Sequence, residues 1–152
     1  MIWMVTRRSA LQIGAGVTAA LSFPTVRAHE FFSTSLTVYH PWTRASAAGA
    51  TSAIVSMKFD EVQITDSLIG AKSRIFEGSE FGGVGVTDSN RKGFEYVIQA
   101  GQPAELSEAG TYLRVLGLKI PLEIGREYPM TLLFAKAGPL KAALLIDFPP
   151  QG

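Results

Sequence analysis

Cysteine is absent from the 152 residues, and histidine occurs only twice. The chain therefore has no disulfide, thiolate metal site or cysteine nucleophile. Charged residues are also few, at 18% of the chain, and 14 Lys and Arg nearly balance 13 Asp and Glu. This balance argues against nucleic-acid binding, which usually needs a basic surface. The 47% hydrophobic content is enough for a packed core, and the length fits one domain.

The first 28 residues have the three-part pattern of an export signal. A basic start at Arg7 and Arg8 precedes an apolar stretch over residues 10–23. That stretch has about 14 residues, fewer than the roughly 20 that span a bilayer, so it predicts a removable signal rather than a permanent anchor. The paired arginines resemble the twin-arginine pattern that exports folded proteins, and an ordinary export signal is the alternative.

The signal ends in a typical cleavage site, with Val26 and Ala28 at the −3 and −1 positions. Cleavage after Ala28 would release a domain of residues 29–152 whose first residue is His29. Three basic residues lie in the signal, so this domain would carry 11 basic and 13 acidic residues.

The rest of the chain consists of short strand-like runs separated by Gly, Pro, Asn and Asp. No long stretch has the three- and four-residue apolar spacing of an amphipathic helix. Eight or nine short strands predict an all-β fold, either a two-sheet sandwich or a barrel. The predicted strands cover residues 36–40, 52–59, 67–70, 73–76, 94–98, 104–106, 112–118, 130–134 and 141–148.

Three segments carry a family resemblance. The second half contains AGQPAEL at residues 100–106 and AGTYLRVLGLK at residues 109–119, followed by Pro121 and Leu122. Nearer the front, residues 40–44 read HPWTR. In this order the segments resemble the periplasmic copper chaperone family called PCuAC. The resemblance implies a cupredoxin-like, two-sheet Greek-key β-sandwich and a role in handling copper.

The chain departs from that family at the usual Cu(I) site, which holds the ion with two His and two Met. The corresponding positions here read Phe76 and Gly78, then Tyr112 and Arg114. No histidine follows His40, so no alternative alignment restores the site. Thioether ligands favour Cu(I), and their loss removes the basis for selecting that ion there.

Two histidines remain, and a short hairpin would bring them together. We predict one strand over residues 30–33 and a second over residues 36–40, joined by a turn at residues 34–35. In such a hairpin the numbers of two paired residues add up to 69, so His29 lies opposite His40. Cross-strand Cβ atoms lie about 4.5–5.5 Å apart, close enough for two imidazoles to reach one metal ion. Thr-Ser is a poor hairpin turn, however, and a slip of one residue would separate the rings, so both registers stay open.

A terminal histidine can bind a metal through its α-amine and Nδ1, and a second imidazole completes a histidine brace. Such nitrogen donors favour Cu(II). A branch of PCuAC proteins without the His/Met site, associated with methane-oxidising bacteria, uses a brace, and this chain resembles it. We predict one Cu(II) per chain, held by His29 and His40. Asp147 is the predicted third ligand if the last strand runs parallel to the first, with Asp60 and Glu30 as alternatives.

These observations favour a periplasmic protein that captures Cu(II) and delivers or stores it without catalysis. Its partner would be a periplasmic or membrane copper enzyme that receives the ion. Two alternatives stay open: a metal-free interaction module derived from the same family, and a small copper-dependent oxidative enzyme. Other catalytic motifs, including Gly-x-Ser-x-Gly, His-Glu-x-x-His and the phosphate-binding loop, are absent from the sequence.

Overall fold

The computed structural model describes residues 29–148. The export signal predicted over residues 1–28 and the last four residues lie outside the described residues. Within the described range the secondary structure is entirely β-strand and turn. That range contains no helix long and apolar enough to cross a bilayer.

Ten strands follow one another along the chain. They are β1 (Glu30–Phe32), β2 (Thr37–Arg44), β3 (Ser52–Asp60), β4 (Asp66–Lys72), β5 (Gly78–Gly83), β6 (Tyr96–Ile98), β7 (Ala104–Leu106), β8 (Thr111–Leu116), β9 (Glu127–Phe134) and β10 (Gly138–Asp147).

The strands form one curled sheet in the order β5-β8-β3-β2-β10-β9-β4-β6, and β1 and β7 are added beside β2 and β3. β10 runs parallel to β2, whereas β2 is antiparallel to β1 and β3. The curl brings β5 close to β4, where the Ser79 hydroxyl accepts a hydrogen bond from the Ala71 amide at 3.0 Å. The predicted all-β, cupredoxin-like fold class is confirmed.

The core lies between the two facing parts of the curled sheet. Alternate residues of each strand point inward, as the two-residue period of a strand requires. On β10, for example, Leu144 and Ile146 are fully buried, while Leu145 and Asp147 between and after them are less buried. The largest fully buried side chains are Phe59, Met57, Leu68, Ile98, Leu106, Leu113, Leu122, Leu132, Leu144, Ile146, Val38 and Val55.

The predicted count of eight or nine strands is too low, and one predicted strand is wrong. Residues 73–76 form a tight turn, in which the Ser73 hydroxyl accepts a hydrogen bond from the Ile75 amide. Besides β1, which the predicted hairpin covers, the missed strand is β5, whose sequence GSEFGG contains three glycines. Glycine is depleted in strands, so the local sequence gives no strand signal there.

The end of β5 requires glycine for two reasons. Gly83 has a φ of 86°, a region that residues with a Cβ rarely adopt. A Cβ added there would also collide with the carbonyl oxygen of Gly110 and touch the ring of Tyr112. At Gly78, the first residue of the same strand, an added Cβ would meet nothing within 4 Å.

We expect Gly83→Ala to lower the free energy of unfolding by about 2–4 kcal/mol, from the left-handed backbone and the collision with backbone. Gly78→Ala is the matched control, and its effect should stay within about 1 kcal/mol. Urea unfolding of both variants measures the difference. Equal midpoints for the two variants would contradict this account of β5.

Candidate metal centre

The β1–β2 hairpin sets the two histidines side by side. Glu30 pairs with Tyr39 and the following pairs keep that register, so the numbers of paired residues sum to 69. One step beyond, the His40 amide donates a hydrogen bond to the His29 carbonyl at 2.6 Å. The predicted register is confirmed, and the one-residue slip is wrong.

The turn of this hairpin is stabilised by a serine side chain rather than by glycine. The Ser33 amide donates to the Leu36 carbonyl at 3.0 Å, which closes the turn. The Ser33 hydroxyl also accepts hydrogen bonds from the amides of Ser35 and Leu36, at 3.2 and 3.1 Å. This side-chain turn explains why an unfavourable Thr-Ser pair still gives a tight connection.

The imidazoles of His29 and His40 are in edge-to-face contact, with ring centroids 5.4 Å apart and planes at 89°. The side chain of His29 is 26% exposed and that of His40 is 45% exposed. The pair therefore lies at the surface, where a metal ion could enter and leave.

Both histidines have an unusual backbone conformation. Among residues 29–148, three residues other than glycine have a positive φ: His29 at 73°, His40 at 48° and Glu61 at 53°. A left-handed conformation costs such a residue of order 1–3 kcal/mol, and these conformations cluster at functional sites. Histidine adopts it more readily than most residues, which fits its presence at both positions.

A β-bulge determines where His40 points. The pairing of β2 with β3 shifts by one residue between Tyr39 and Trp42, so His40 and Pro41 together face one residue of β3. Pro41 has no amide hydrogen to donate to the ladder, and a bulge is a place where a strand tolerates that loss. In a regular strand His40 would point to the same side as residues 36 and 38, which are buried. The bulge instead turns His40 to the surface.

Asp147 lies next to His40. The parallel pairing of β10 with β2 places Asp147 opposite Arg44. The Asp147 Oδ2 is then 3.8 Å from the His40 Nε2, and the aspartate side chain is 45% exposed. The strand direction on which the Asp147 prediction depended is therefore observed, and a ligand role for Asp147 stays a prediction.

A second carboxylate, which the sequence reasoning missed, lies next to His29. Glu127 opens β9, and its Oε1 is 3.2 Å from the His29 Nδ1. The predicted strand begins three residues later, at Met130. Extending the register of the β9–β10 hairpin outward would have reached Glu127, which faces Leu145.

The two alternative carboxylates lie on other strands, Asp60 at the end of β3 and Glu30 at the start of β1. Asp60 faces Thr37 across the β2–β3 pair, and its Oδ1 accepts a hydrogen bond from the Glu61 amide at 2.7 Å. Glu30 pairs with Tyr39. Asp147 forms an ion-pair contact with His40.

The electrostatics of His40 favour its neutral form. Burial lowers the pKa of His40, the neighbouring His29 lowers it further, and the Asp147 carboxylate partly opposes both effects. A neutral imidazole has a lone pair to offer a metal, so a lowered pKa keeps His40 ready to bind at mildly acidic pH.

The four side chains form two separate pairs, His29 with Glu127 and His40 with Asp147, rather than one cluster. Across residues 29–148, no group of three or more His, Asp or Glu side chains is close enough to hold a metal by side chains alone. A brace needs only two imidazoles, because its third nitrogen comes from the main chain. Each pair offers an imidazole nitrogen and a carboxylate oxygen, 3.2 Å apart at His29 and 3.8 Å apart at His40. Nitrogen and oxygen donors of this kind suit Cu(II).

Comparison with known proteins identifies the family. The LpqE-like family model matches residues 36–146. The apo PCuAC domain from PmoF1 is 30% identical, with a TM-score of 0.72 over 80% of this chain and 100% of that domain. The chain belongs to the LpqE-like, PCuAC family. The resemblance predicted from the three sequence segments is confirmed at this level.

Two further PCuAC structures share the fold. The copper-bound PCuAC domain from PmoF2 is 24% identical, with a TM-score of 0.70 over 80% of this chain and 99% of that domain. The Cu(I) form of DR1885 from Deinococcus radiodurans is 19% identical, with a TM-score of 0.61 over 82% of this chain and 85% of that protein. No curated protein matches the sequence.

Where the sequence comparison placed the PCuAC Cu(I) ligands, the chain has structural contacts instead. Phe76 is buried in the core. Arg114 forms an ion pair with Glu80 at 3.3 Å and donates a hydrogen bond to the Tyr112 hydroxyl at 3.0 Å. Its guanidinium also lies 5.3 Å from the centre of the Tyr112 ring. The positive charge of Arg114 opposes a metal ion at this place, and its contacts join β8 to β5.

The left-handed backbone at His40 leads to a stability prediction for the protein kept free of metal. We expect His40→Gly to be about 1 kcal/mol more stable than His40→Ala, because alanine retains the Cβ that opposes this conformation. The matched pair is Lys58→Gly and Lys58→Ala, at a β3 position without positive φ, where alanine should be the more stable. Urea unfolding with a chelator present measures both differences. If alanine were more stable at both sites, the left-handed assignment would be wrong.

Proposed function

We propose that this protein captures Cu(II) in the periplasm through His29, His40 and Asp147 and delivers or stores it without catalysis. The observation that carries the proposal is the edge-to-face contact of the two imidazoles, with ring centroids 5.4 Å apart. Membership of the PCuAC family supports copper as the ion, since a relative with the same fold is a copper-bound PCuAC domain.

The complete site depends on export processing. We infer that the signal is cleaved after Ala28, which frees the α-amine of His29 to bind the same ion as its Nδ1. The hydrogen bond from the His40 amide to the His29 carbonyl would hold this residue in place after cleavage. The terminal histidine would therefore bind as an ordered residue rather than as a flexible terminus. Fixing a ligand before binding reduces the entropy lost when the metal arrives.

The types of donor support Cu(II) over Cu(I). Imidazole, amine and carboxylate groups suit Cu(II), whereas thiolate and thioether groups select Cu(I). The chain has no cysteine. Its nearest methionine along the β2–β3 pair, Met57, is 2% exposed and packs in the core. Two histidines and the nearby carboxylates are therefore the donors that this surface offers.

The exposure of the site supports transfer of copper rather than permanent retention. His40 and Asp147 are each 45% exposed, so a receiving protein could approach the ion directly. We infer that the partner is a periplasmic or membrane copper enzyme, which would take the ion by exchanging its own ligands for these. An open site of this kind suits a carrier, because a bound ion must also be able to leave.

The first test is copper titration of the protein that begins at His29. We expect one Cu(II) per chain with an electron paramagnetic resonance spectrum typical of nitrogen ligands, and weaker binding of Cu(I). His40→Ala should reduce Cu(II) affinity at least about 100-fold, more than loss of a residue that only supports a ligand. Asp147→Asn should have a smaller effect, and the matched control Asp60→Asn should have none. Absence of Cu(II) binding by the unmodified protein would instead support a metal-free interaction module.

The second test moves the α-amine. One glycine added before His29 places the amine too far along the chain to bind together with Nδ1. We expect Cu(II) affinity to fall by about 100-fold or more, as for loss of any direct ligand. One glycine added after Gly152 is the matched control and should change nothing. Equal affinity of both extended proteins would show that the site is not a brace.

A further inference from the structure

A shallow depression of about 370 Å³ lies on the surface formed by β4, β9 and β10. Lys72, Arg74 and Lys141 line it together with Thr131, and none of the described residues that line it is acidic. We propose that this depression binds a dianionic phosphate group, either inorganic phosphate or a phosphate monoester. The proposal goes beyond the proposed function, because it uses none of the residues of the candidate metal centre.

Strand pairing places the two lysines on either side of the threonine. Thr131 of β9 pairs directly with Lys72 of β4 on one side and with Lys141 of β10 on the other. Directly paired residues have their side chains on the same face of a sheet. Neighbouring strands lie about 4.8 Å apart, so the backbones of the two lysines are about 10 Å apart. Three side chains in a row thus extend from one face of the sheet.

Arg74 lies in the tight turn after β4, and hydrogen bonds fix this turn to the same sheet. The Ser73 hydroxyl donates to the Pro129 carbonyl at 2.6 Å and accepts from the Ile75 amide at 3.2 Å. The first of these bonds joins the turn to β9, two residues before Thr131. The exposed guanidinium is therefore carried by a fixed backbone next to the row of three side chains.

The positive charge of the depression is not balanced within the part of the chain that the structure describes. Residues 29–148 contain five arginines. Four of them form ion pairs with carboxylates: Arg44, Arg91, Arg114 and Arg126. Arg74 is the exception, and neither Lys72 nor Lys141 forms an ion pair within this range. Like charges this close repel each other, so a bound anion would lower the electrostatic energy.

The donors of the depression match a phosphate group better than a carboxylate. A phosphate monoester carries a charge of about −1.5 to −2 at pH 7 and has three acceptor oxygens, whereas a carboxylate has one charge and two oxygens. The Arg74 guanidinium can donate two N–H groups to one phosphate, and each lysine adds a further charged donor. The Thr131 hydroxyl, which has no hydrogen-bond partner among the described residues, adds a neutral donor.

The depression lies far from the histidine pair along β10. Lys141 and Asp147 are six residues apart on this strand, which corresponds to about 20 Å of extended chain. A phosphate group bound at Lys141 would therefore not touch a metal ion bound at His40. Phosphate binding and copper binding can be measured separately.

The test is a titration of the protein with inorganic phosphate at pH 7.5, followed by NMR, with sodium chloride holding the ionic strength constant. We expect saturable shifts of the amides of Lys72, Thr131 and Lys141. Lys72→Gln and Arg74→Gln should each weaken phosphate binding about 10-fold or more, as for loss of a charged hydrogen bond. Arg74→Lys should recover part of that affinity, because it restores the charge without the two-pronged donor.

Lys92→Gln is the matched control for Lys72→Gln. It removes the same charge from an exposed lysine that does not line the depression. We expect it to change phosphate affinity less than about twofold, since isolated exposed charges interact weakly through solvent. Urea unfolding of each variant confirms that the protein is folded.

A vesicle experiment distinguishes a lipid source of the phosphate from a soluble one. Phosphatidic acid has a phosphate monoester headgroup, so vesicles of phosphatidylcholine with and without phosphatidic acid form the comparison. Sedimentation of the protein with the phosphatidic acid vesicles, lost in Arg74→Gln and kept in Lys92→Gln, would assign the site to a lipid headgroup. Binding of inorganic phosphate without binding to these vesicles would assign it to a soluble phosphate.

Three results would overturn the proposal. The first is that the unmodified protein binds neither inorganic phosphate nor the phosphatidic acid vesicles. The second is that Lys92→Gln weakens binding as much as Lys72→Gln, which would indicate general electrostatic attraction. The third is that a glutamate-rich peptide binds at the depression more tightly than phosphate, which would assign the site to carboxylates of another protein. None of these results depends on whether the protein binds Cu(II), so failure of the proposed function would be seen separately.

Discussion

One backbone hydrogen bond, from the His40 amide to the His29 carbonyl at 2.6 Å, fixes the two histidines beside each other. It extends the β1–β2 hairpin by one pair beyond Glu30 and Tyr39, so that the first described residue becomes part of the sheet. Without this hydrogen bond, the distance between the two imidazoles would not be fixed. The serine-capped turn at the other end of the hairpin maintains the same register.

The sheet then brings the remaining charged groups to this hairpin from a distant part of the sequence. Parallel pairing of β10 with β2 places Asp147 near His40, and antiparallel pairing of β9 with β10 places Glu127 near His29. A single surface thereby gathers residues from both ends of the described chain. Strand order, rather than any local motif, brings the carboxylates next to the histidines.

The sequence allowed the pairing of His29 with His40 to be predicted, because a short hairpin has a two-residue period and few registers. The parallel direction of the last strand was only a condition of the Asp147 prediction, and the structure meets that condition. Glu127 was missed because the predicted strand begins at Met130, three residues after Glu127. The bulge at His40 and Pro41 was also not predicted, because a bulge can be recognised only when the residues of the partner strand are known. β5 was missed for a different reason. Gly82 and Gly83 are required by the close approach of Tyr112, and glycine has no preference for strands.

The positive φ of His29 has a consequence for the order of events during maturation. This torsion is defined by the carbonyl carbon of the preceding residue, and the steric conflict of a left-handed residue involves that same peptide group. If the signal is removed after Ala28, the group responsible for the conflict leaves with it. The precursor would then hold His29 under strain that the cleaved chain no longer has. Proteolysis would relax the hairpin end in the same step that exposes its amine.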